Sequence, residues 1–171
     1  MPLIKWTERQ FTCNYPADLY PEMIERVRGT PARLDEYFNS APAELLARRV
    51  DGKWSILENA GHLLDLDELT IERIQQFVAG EPVLRPADIT NKKTSQANYN
   101  SVSAATISHA FRERRNEIVK SLESLDAEMF TRSAIHPRLN IPMRLVDFVC
   151  FEAEHDDYHL TRINELLKSF G

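Results

Sequence analysis

Few cysteines and no long apolar run occur in this sequence, and these two absences exclude several classes of protein. Cys13 and Cys150 are the only two cysteines among 171 residues, and their spacing forms neither a disulfide framework nor a C-x-x-C zinc site. No stretch approaches the roughly 20 apolar residues that span a bilayer, and the N-terminus lacks a secretion signal. We therefore expect no membrane partner and a cytoplasmic location.

The chain also lacks an excess of basic residues. Its formal net charge is -5, with a pI near 5.6, and its lysines and arginines are scattered along the sequence. Proteins that bind nucleic acid through a broad surface are usually basic. The charge balance therefore predicts no nucleic-acid partner.

What the sequence does contain is typical of one soluble globular domain, which we expect to cover residues 1–171. Hydrophobic residues make up 43% of the chain and charged residues 27%, and this length is enough to bury a full core. Strand patterns are scarce, whereas apolar residues recur at helical spacing in four long stretches. These observations predict an all-α fold, an antiparallel four-helix bundle.

The four helices have recognisable ends. The first begins near Pro21, and the second follows Ser55-x-x-Glu58, a capping box, and ends before Gly80. The third spans about 102–124, and the last begins near Pro142 and runs towards the C-terminus. Residues 81–101 and the link around His136-Pro137 show no period and are predicted to be loops. A loop as long as the first is usually functional or mobile.

Three histidines are the residues that indicate chemistry. His155 and His159 are four residues apart on the last predicted helix, so both rings lie on one face, one turn apart. That face is apolar, and His62 also lies on an apolar-periodic stretch, in the second helix. Buried imidazoles without a metal would leave ring nitrogens unsatisfied, at a cost of about 1–3 kcal/mol each. The three are therefore candidate ligands of one divalent metal ion, with hydrogen-bonded core histidines as the alternative.

The motifs Trp54-Ser55-Ile56-x-Glu58-x-x-Gly61-His62-Leu63, His136-Pro137-Arg138-Leu139 and His155-Asp156-x-x-His159-Leu160 resemble those of the DinB-like (YfiT-like) metal-dependent proteins. The resemblance extends from about residue 20 to the C-terminus. It implies a four-helix bundle whose metal is held by His62, His155 and His159, with open positions for water or substrate. Asn140 stands where relatives often have glycine in the His-Pro loop, which bears on the shape of that loop.

The resemblance also leads to three hypotheses for function, from two classes. The first is a transferase that activates a low-molecular-weight thiol on the metal. The second is a hydrolase that uses metal-bound hydroxide, since both nucleophiles form when an ion lowers the pKa of its ligand. The third is a non-catalytic metal-binding bundle. A small-molecule substrate and a homodimer are expected from the family. Three neutral imidazoles suit Zn, Ni, Fe or Cu, and we expect Zn, Ni or Fe.

Three further residues are candidate helpers in catalysis. Glu58, one turn before His62, is either a base or only the partner of Ser55 in the capping box. Glu152, three residues before His155, is a candidate to orient that ring, because ligating histidines usually donate their second N–H to a carboxylate or carbonyl. Arg162, three residues after His159, is a candidate to bind an anionic substrate, with a surface ion pair as the alternative.

Overall fold

The computed structural model describes residues 3–170, so residues 1, 2 and 171 of the predicted single domain lie outside the described residues. Within this range the protein is mainly helical, as predicted. No helix of the described range is both long and apolar enough to cross a membrane. The elements are α1 (Tyr20–Asn39), α2 (Ala43–Leu46), α3 (Ile56–Ala79), α4 (Lys92–Gln96), α5 (Ala104–Glu123), β1 (Ser133–His136), β2 (Ile141–Arg144) and α6 (Leu145–Phe170).

The four long helices α1, α3, α5 and α6 form the predicted four-helix bundle. Helix α1 packs against α5 and α6, and α3 packs against the same two helices. The helices α1 and α3, although consecutive in the bundle, therefore lie diagonally opposite each other. At one end of the core lie the N-terminal halves of α1 and α6 together with the C-terminal halves of α3 and α5. Helices α1 and α6 are therefore parallel to each other and antiparallel to α3 and α5. Residues 80–103 consequently run back along the bundle before α5 begins.

The ends of α3 follow the sequence prediction. The Ser55 hydroxyl accepts a hydrogen bond from the Glu58 backbone N–H, and the Glu58 carboxylate accepts one from the Ser55 backbone N–H. Gly80 ends the helix in the left-handed conformation, with φ of 74°. This reciprocal cap fixes the first turn of α3, and His62 lies one turn further on.

Two parts of the structure differ from the predicted loops. The link before α6 is an antiparallel hairpin in which His136 pairs with Ile141, and residues 81–101 contain α4 and a short 3-10 turn, Tyr99–Ser101. Strands of four residues are too short to show an alternating pattern, and Pro142 argues against a strand in the sequence. Asn140 takes the left-handed conformation, with φ of 53°, which asparagine tolerates better than most residues.

The core consists of two apolar clusters separated by a layer of buried polar residues. On every long helix, at least one buried polar residue lies between the part that joins the first cluster and the part that joins the second, and the least exposed of these on each helix form the layer. All are at most 3% exposed. They are Thr30 on α1, Asp67 on α3, Arg115 on α5 and Asp156 on α6.

The polar layer is held together by charge-assisted hydrogen bonds. Arg115 donates from Nε to Asp67 Oδ2 at 3.0 Å and from both terminal nitrogens to Asp156 at 2.6 and 2.7 Å. The Thr30 hydroxyl donates to Asp156 Oδ2 at 2.7 Å. One network thus joins all four helices, and two of these, α3 and α6, pack against each other and carry the histidines.

Candidate metal centre

The three histidines predicted from the sequence lie together between α3 and α6. His62 is in the second turn of α3, and His155 and His159 lie one turn apart on α6. Each side chain is buried, and one ring nitrogen of each lies within 4.8 Å of the others. The ring centroids are 4.6–5.4 Å apart. Two antiparallel neighbouring helices thus bring together residues that are about ninety positions apart in the sequence.

Hydrogen bonds fix which nitrogen of His159 carries its proton. The Nδ1 atom lies 2.9 Å from Asn59 Oδ1. Asn59 Nδ2 donates to the Ser55 carbonyl at 2.8 Å, so the amide group turns its oxygen towards the imidazole. Because that oxygen only accepts, Nδ1 carries the proton and Nε2 keeps its lone pair.

A second set of hydrogen bonds does the same for His62. Its Nδ1 atom lies 3.2 Å from Thr94 Oγ1, and the Thr94 hydroxyl donates to Asp65 Oδ2 at 2.8 Å. Since the hydroxyl has a single proton, the imidazole must donate to Thr94. Asp65 also accepts from the Tyr99 hydroxyl at 2.8 Å. The lone pair of His62 therefore lies on Nε2.

The arrangement of nitrogens fits a divalent cation. The Nε2 atoms of His155 and His159 are 3.2 Å apart, close to the separation of about 3.3 Å between two imidazole ligands of a tetrahedral zinc ion. Burial lowers the pKa of His62 to about 4. Burial and the neighbouring imidazoles hold the pKa values of His155 and His159 well below the ordinary range. Neutral rings with converging lone pairs are the form in which histidine binds metals.

The histidines border a cavity of about 700 Å³, which leaves room for a ligand much larger than water. Trp54 lies over His62, with ring centroids 4.8 Å apart, and Trp6 meets the His155 ring edge-on at 4.9 Å. Basic side chains are more numerous than acidic ones in the wall. The charged residues of the wall are Lys5, Lys53, Arg138, Arg162, Asp88 and Glu165.

The three candidate helpers have different surroundings. The Glu58 carboxylate binds the Ser55 backbone and Arg49, and it does not line the large cavity. Its hydrogen bond with Arg49 lowers its pKa. Glu152 accepts from the Thr70 hydroxyl at 2.8 Å and has no hydrogen bond to His155 within residues 3–170. Arg162 lines the cavity and also pairs with Glu165 at 3.0 Å.

Sequence reasoning missed the two residues that orient the histidines. Asparagine disfavours the interior of a helix, so its presence there suggests a role for its side chain. Asn59 could have been suspected on this ground, since it lies three residues before the candidate ligand His62. Thr94 lies 32 positions from His62 in a segment without a periodic pattern, so no signal was available. Trp6, on the short N-terminal 3-10 turn, was equally unrecognisable as part of the wall.

Known proteins of similar sequence profile or structure share the four-helix bundle described above. The sequence profile of the DinB superfamily matches residues 26–163. The chain belongs to the DinB superfamily. A comparison of this DinB protein with curated proteins finds no match.

Solved structures with the same fold include three proteins of different description. YfiT from Bacillus subtilis, a probable metal-dependent hydrolase with an unusual four-helix bundle topology, is 20% identical, with a TM-score of 0.82 over 96% of this chain and 94% of its own. The mycothiol-dependent maleylpyruvate isomerase is 6% identical, with a TM-score of 0.66. The match covers 83% of this chain but 59% of the isomerase. At these identities the likeness concerns the fold.

The third structure corrects one prediction. The colibactin self-resistance protein ClbS, solved in complex with a dsDNA, is 15% identical, with a TM-score of 0.68 over 87% of this chain and 95% of its own. The exclusion of nucleic acid as a partner was therefore wrong, because a bundle of this fold is found on DNA. Net charge sums the whole surface and says nothing about the local surface that meets a phosphate backbone.

Proposed function

We propose that this DinB protein is a metal-dependent transferase that activates a low-molecular-weight thiol at His62, His155 and His159. The observation that carries the proposal is the convergence of three neutral imidazoles on the wall of a 700 Å³ cavity. A divalent ion held there would lower the pKa of a bound thiol or water and supply a nucleophile near neutral pH. The open cavity disfavours the non-catalytic alternative, which needs no room beside the ion.

The surroundings of the triad favour a thiol over water as the nucleophile. A thiol has an ordinary pKa of about 8.5 and water one of 15.7, so a thiol needs far less assistance to ionise. Glu58, the candidate base nearest in sequence to His62, is bound by Arg49 and the helix cap. The basic wall, including Arg162 and Lys53, suits the anionic groups of a cellular thiol.

The chain's own residues have distinct roles in this proposal. Asn59 and Thr94 hold the protons on Nδ1 of His159 and His62, so that the two Nε2 atoms stay free as ligands. Trp54 and Trp6 cover the imidazoles and limit access of water. The relatives described as a mycothiol-dependent isomerase and a probable metal-dependent hydrolase support the class of chemistry.

A paired assay tests the proposal. The metal-loaded protein is incubated with a panel of cellular thiols and a chromogenic aryl halide, and separately with chromogenic esters and amides. We expect metal-dependent thiol conjugation, lost in His159→Ala and retained in His109→Ala, in which an exposed histidine is removed. Ester or amide hydrolysis without conjugation would reverse the order in favour of the hydrolase.

A cytoplasmic location agrees with thiol chemistry, because thiols are kept reduced in that compartment. Dimerisation of the bundle stays a prediction, which sedimentation velocity tests.

A further inference from the structure

A second cavity of about 300 Å³ adjoins the first, and its wall contains unpartnered hydrogen-bond donors. His136 is 2% exposed, and its Nδ1 atom accepts the Leu139 backbone N–H at 3.3 Å. The neutral ring therefore carries its proton on Nε2. This buried donor has no partner among residues 3–170, nor has Nη2 of Arg138. Buried donors are rarely left unsatisfied, so each such group needs an explanation.

The same cavity has an excess of positive charge. Arg73 is 4% exposed, and its one hydrogen bond within the described range runs from Nε to the Arg85 carbonyl at 2.9 Å. Neither Arg73 nor Arg138 has a carboxylate oxygen within 4.0 Å in residues 3–170. Burial and the nearby Arg138 lower the pKa of Arg73, and burial lowers that of Arg138. Among residues 3–170, Glu152, which accepts from Thr70, is the one carboxylate in this wall, and burial raises its pKa.

The two cavities are connected at the metal centre. Both are bordered by His155, Trp6 and Arg138. The Arg138 guanidinium is held over the rings of Trp6 and Phe151, 5.9 and 5.7 Å from their centroids. A molecule with its reacting atom at the histidines can therefore extend a second group towards Arg138 and His136.

We propose that the smaller cavity is an anion subsite, in which His136, Arg138 and Arg73 bind a carboxylate of the molecule that reacts at the triad. This inference rests on the proposed function for the identity of that molecule. The excess of positive charge suits an anion, and guanidinium groups bind planar carboxylates in a bidentate manner. The imidazole N–H supplies a further donor, and the apolar remainder of the wall accepts the carbon chain.

Binding of a small carboxylate to metal-free protein tests the subsite separately from catalysis. Chelator-treated protein is titrated calorimetrically with acetate and with acetamide, its neutral analogue of similar shape. We expect saturable binding of acetate and none of acetamide. Arg138→Met should weaken acetate binding at least about tenfold, because it removes a charge-assisted hydrogen bond. Arg114→Met is the matched control, since Arg114 lines neither cavity, and it should bind as wild type does.

Two further measurements separate this inference from the proposed function. His159→Ala should lose metal and thiol transfer but keep its acetate affinity, whereas Arg138→Met should keep its metal content. In the wild-type protein, the NMR signal of the His136 Nε2 proton should shift on addition of acetate. This measurement does not depend on whether the variants fold. Equal binding of acetate and acetamide, unchanged affinity in Arg138→Met, or an unmoved His136 signal would each overturn the subsite.

Discussion

At the scale of single residues, two hydrogen bonds decide which ring nitrogens of the candidate metal centre are free to bind an ion. Asn59 and Thr94 each accept an Nδ1–H, and both are themselves fixed, by the Ser55 carbonyl and by Asp65. The tautomers of His62 and His159 are therefore set before any ion arrives. Histidines whose tautomer and ring orientation are already fixed bind a metal more tightly, because binding costs less conformational entropy.

Thr94→Val should lower metal affinity about 10- to 100-fold, the usual effect of removing a partner that orients a ligand. Valine keeps the shape of threonine but leaves the His62 Nδ1–H without an acceptor. Thr94→Ser keeps the hydroxyl and should retain affinity. Competition with a chromogenic chelator measures both, and equal affinities for the two variants would refute an orienting role for Thr94.

His155→Ala or His159→Ala should abolish stoichiometric metal binding, and His62→Ala should weaken it severely. Each removes one of three neutral ligands, and the two remaining nitrogens are fewer than the three protein ligands of an open metal site. Elemental analysis of protein purified without an affinity tag gives the metal content. His109→Ala is the control, since His109 is 75% exposed on α5, and full metal content in the triad variants would refute the assignment.

At this scale the sequence predicted the three candidate ligands and the local cap, and it missed the residues that orient two of those ligands. His155 and His159 follow from a four-residue spacing on an apolar stripe, and Ser55 with Glu58 from a local capping pattern. Asn59 reaches His159 across 100 positions, and Thr94 reaches His62 across 32. Such contacts depend on how helices pack, which a local pattern does not contain.

At the scale of elements, the contact between α3 and the segment 80–103 depends on a glycine. A Cβ atom built on Gly61 would lie 2.2–2.4 Å from ring atoms of Tyr99, whereas one built on Gly29 in α1 meets nothing within 4 Å. Both glycines are inside helices with ordinary backbone angles. The same substitution is therefore expected to have opposite effects at the two positions.

Gly61→Ala should destabilise the protein by roughly 1–3 kcal/mol, the usual cost of overpacking, because the Tyr99 ring must move and give up its bond to Asp65. Gly29→Ala should stabilise it by about 0.5–1 kcal/mol, since alanine is the better helix former. Urea denaturation measures both values. Equal changes in the two variants would show that the Tyr99 contact carries no energetic weight.

The elements that were not predicted are the shortest ones. Helix α4 has five residues and each strand of the hairpin four, so none completes enough periods to be recognised. The hairpin is also held by residues distant in sequence, since Ile135 donates to the Pro82 carbonyl at 2.9 Å and its carbonyl accepts from Leu84 at 3.0 Å. The long helices were predicted because their apolar stripes repeat over five or more turns.

At the scale of the whole molecule, the polar layer makes stability depend on pH. Burial raises the pKa of Asp67 to about 8, and the nearby Asp156 carboxylate adds to the rise, while Arg115 opposes it. The folded protein then keeps a proton that the unfolded chain releases near pH 4. The resulting stabilisation is fully present below pH 4 and is lost as pH rises through about 8.

Asp67→Asn should therefore lose less stability than wild type as pH rises from 5 to 8. The difference between their unfolding free energies should change by on the order of 1 kcal/mol per pH unit, since one proton is involved. Urea denaturation at both pH values provides the test. Asp126→Asn, which changes an exposed carboxylate, is the control, and a parallel course for Asp67→Asn and wild type would contradict the shift.

Metal binding should raise the melting temperature of the whole bundle, because the ion binds the folded state. A protonated imidazole cannot bind a metal, so ligands with the ordinary histidine pKa would weaken metal binding below about pH 6.5. Because the pKa of His62 is lowered to about 4, this weakening is expected at lower pH. The increment should thus persist at pH 5 and shrink as the pH falls below about 4. Calorimetry with and without chelator measures it, and circular dichroism should show that the chelated bundle stays helical.

The layer of Thr30, Asp67, Arg115 and Asp156 also restricts how the chain can misfold. A helix that slipped by one turn would carry its polar group into an apolar cluster and leave a buried charge without its partner. Breaking a buried pair in this way costs about 3–5 kcal/mol, comparable to much of a small domain's stability. Compact states with misaligned helices are therefore poor competitors, and the same alignment that satisfies Arg115 brings His62 opposite His155 and His159.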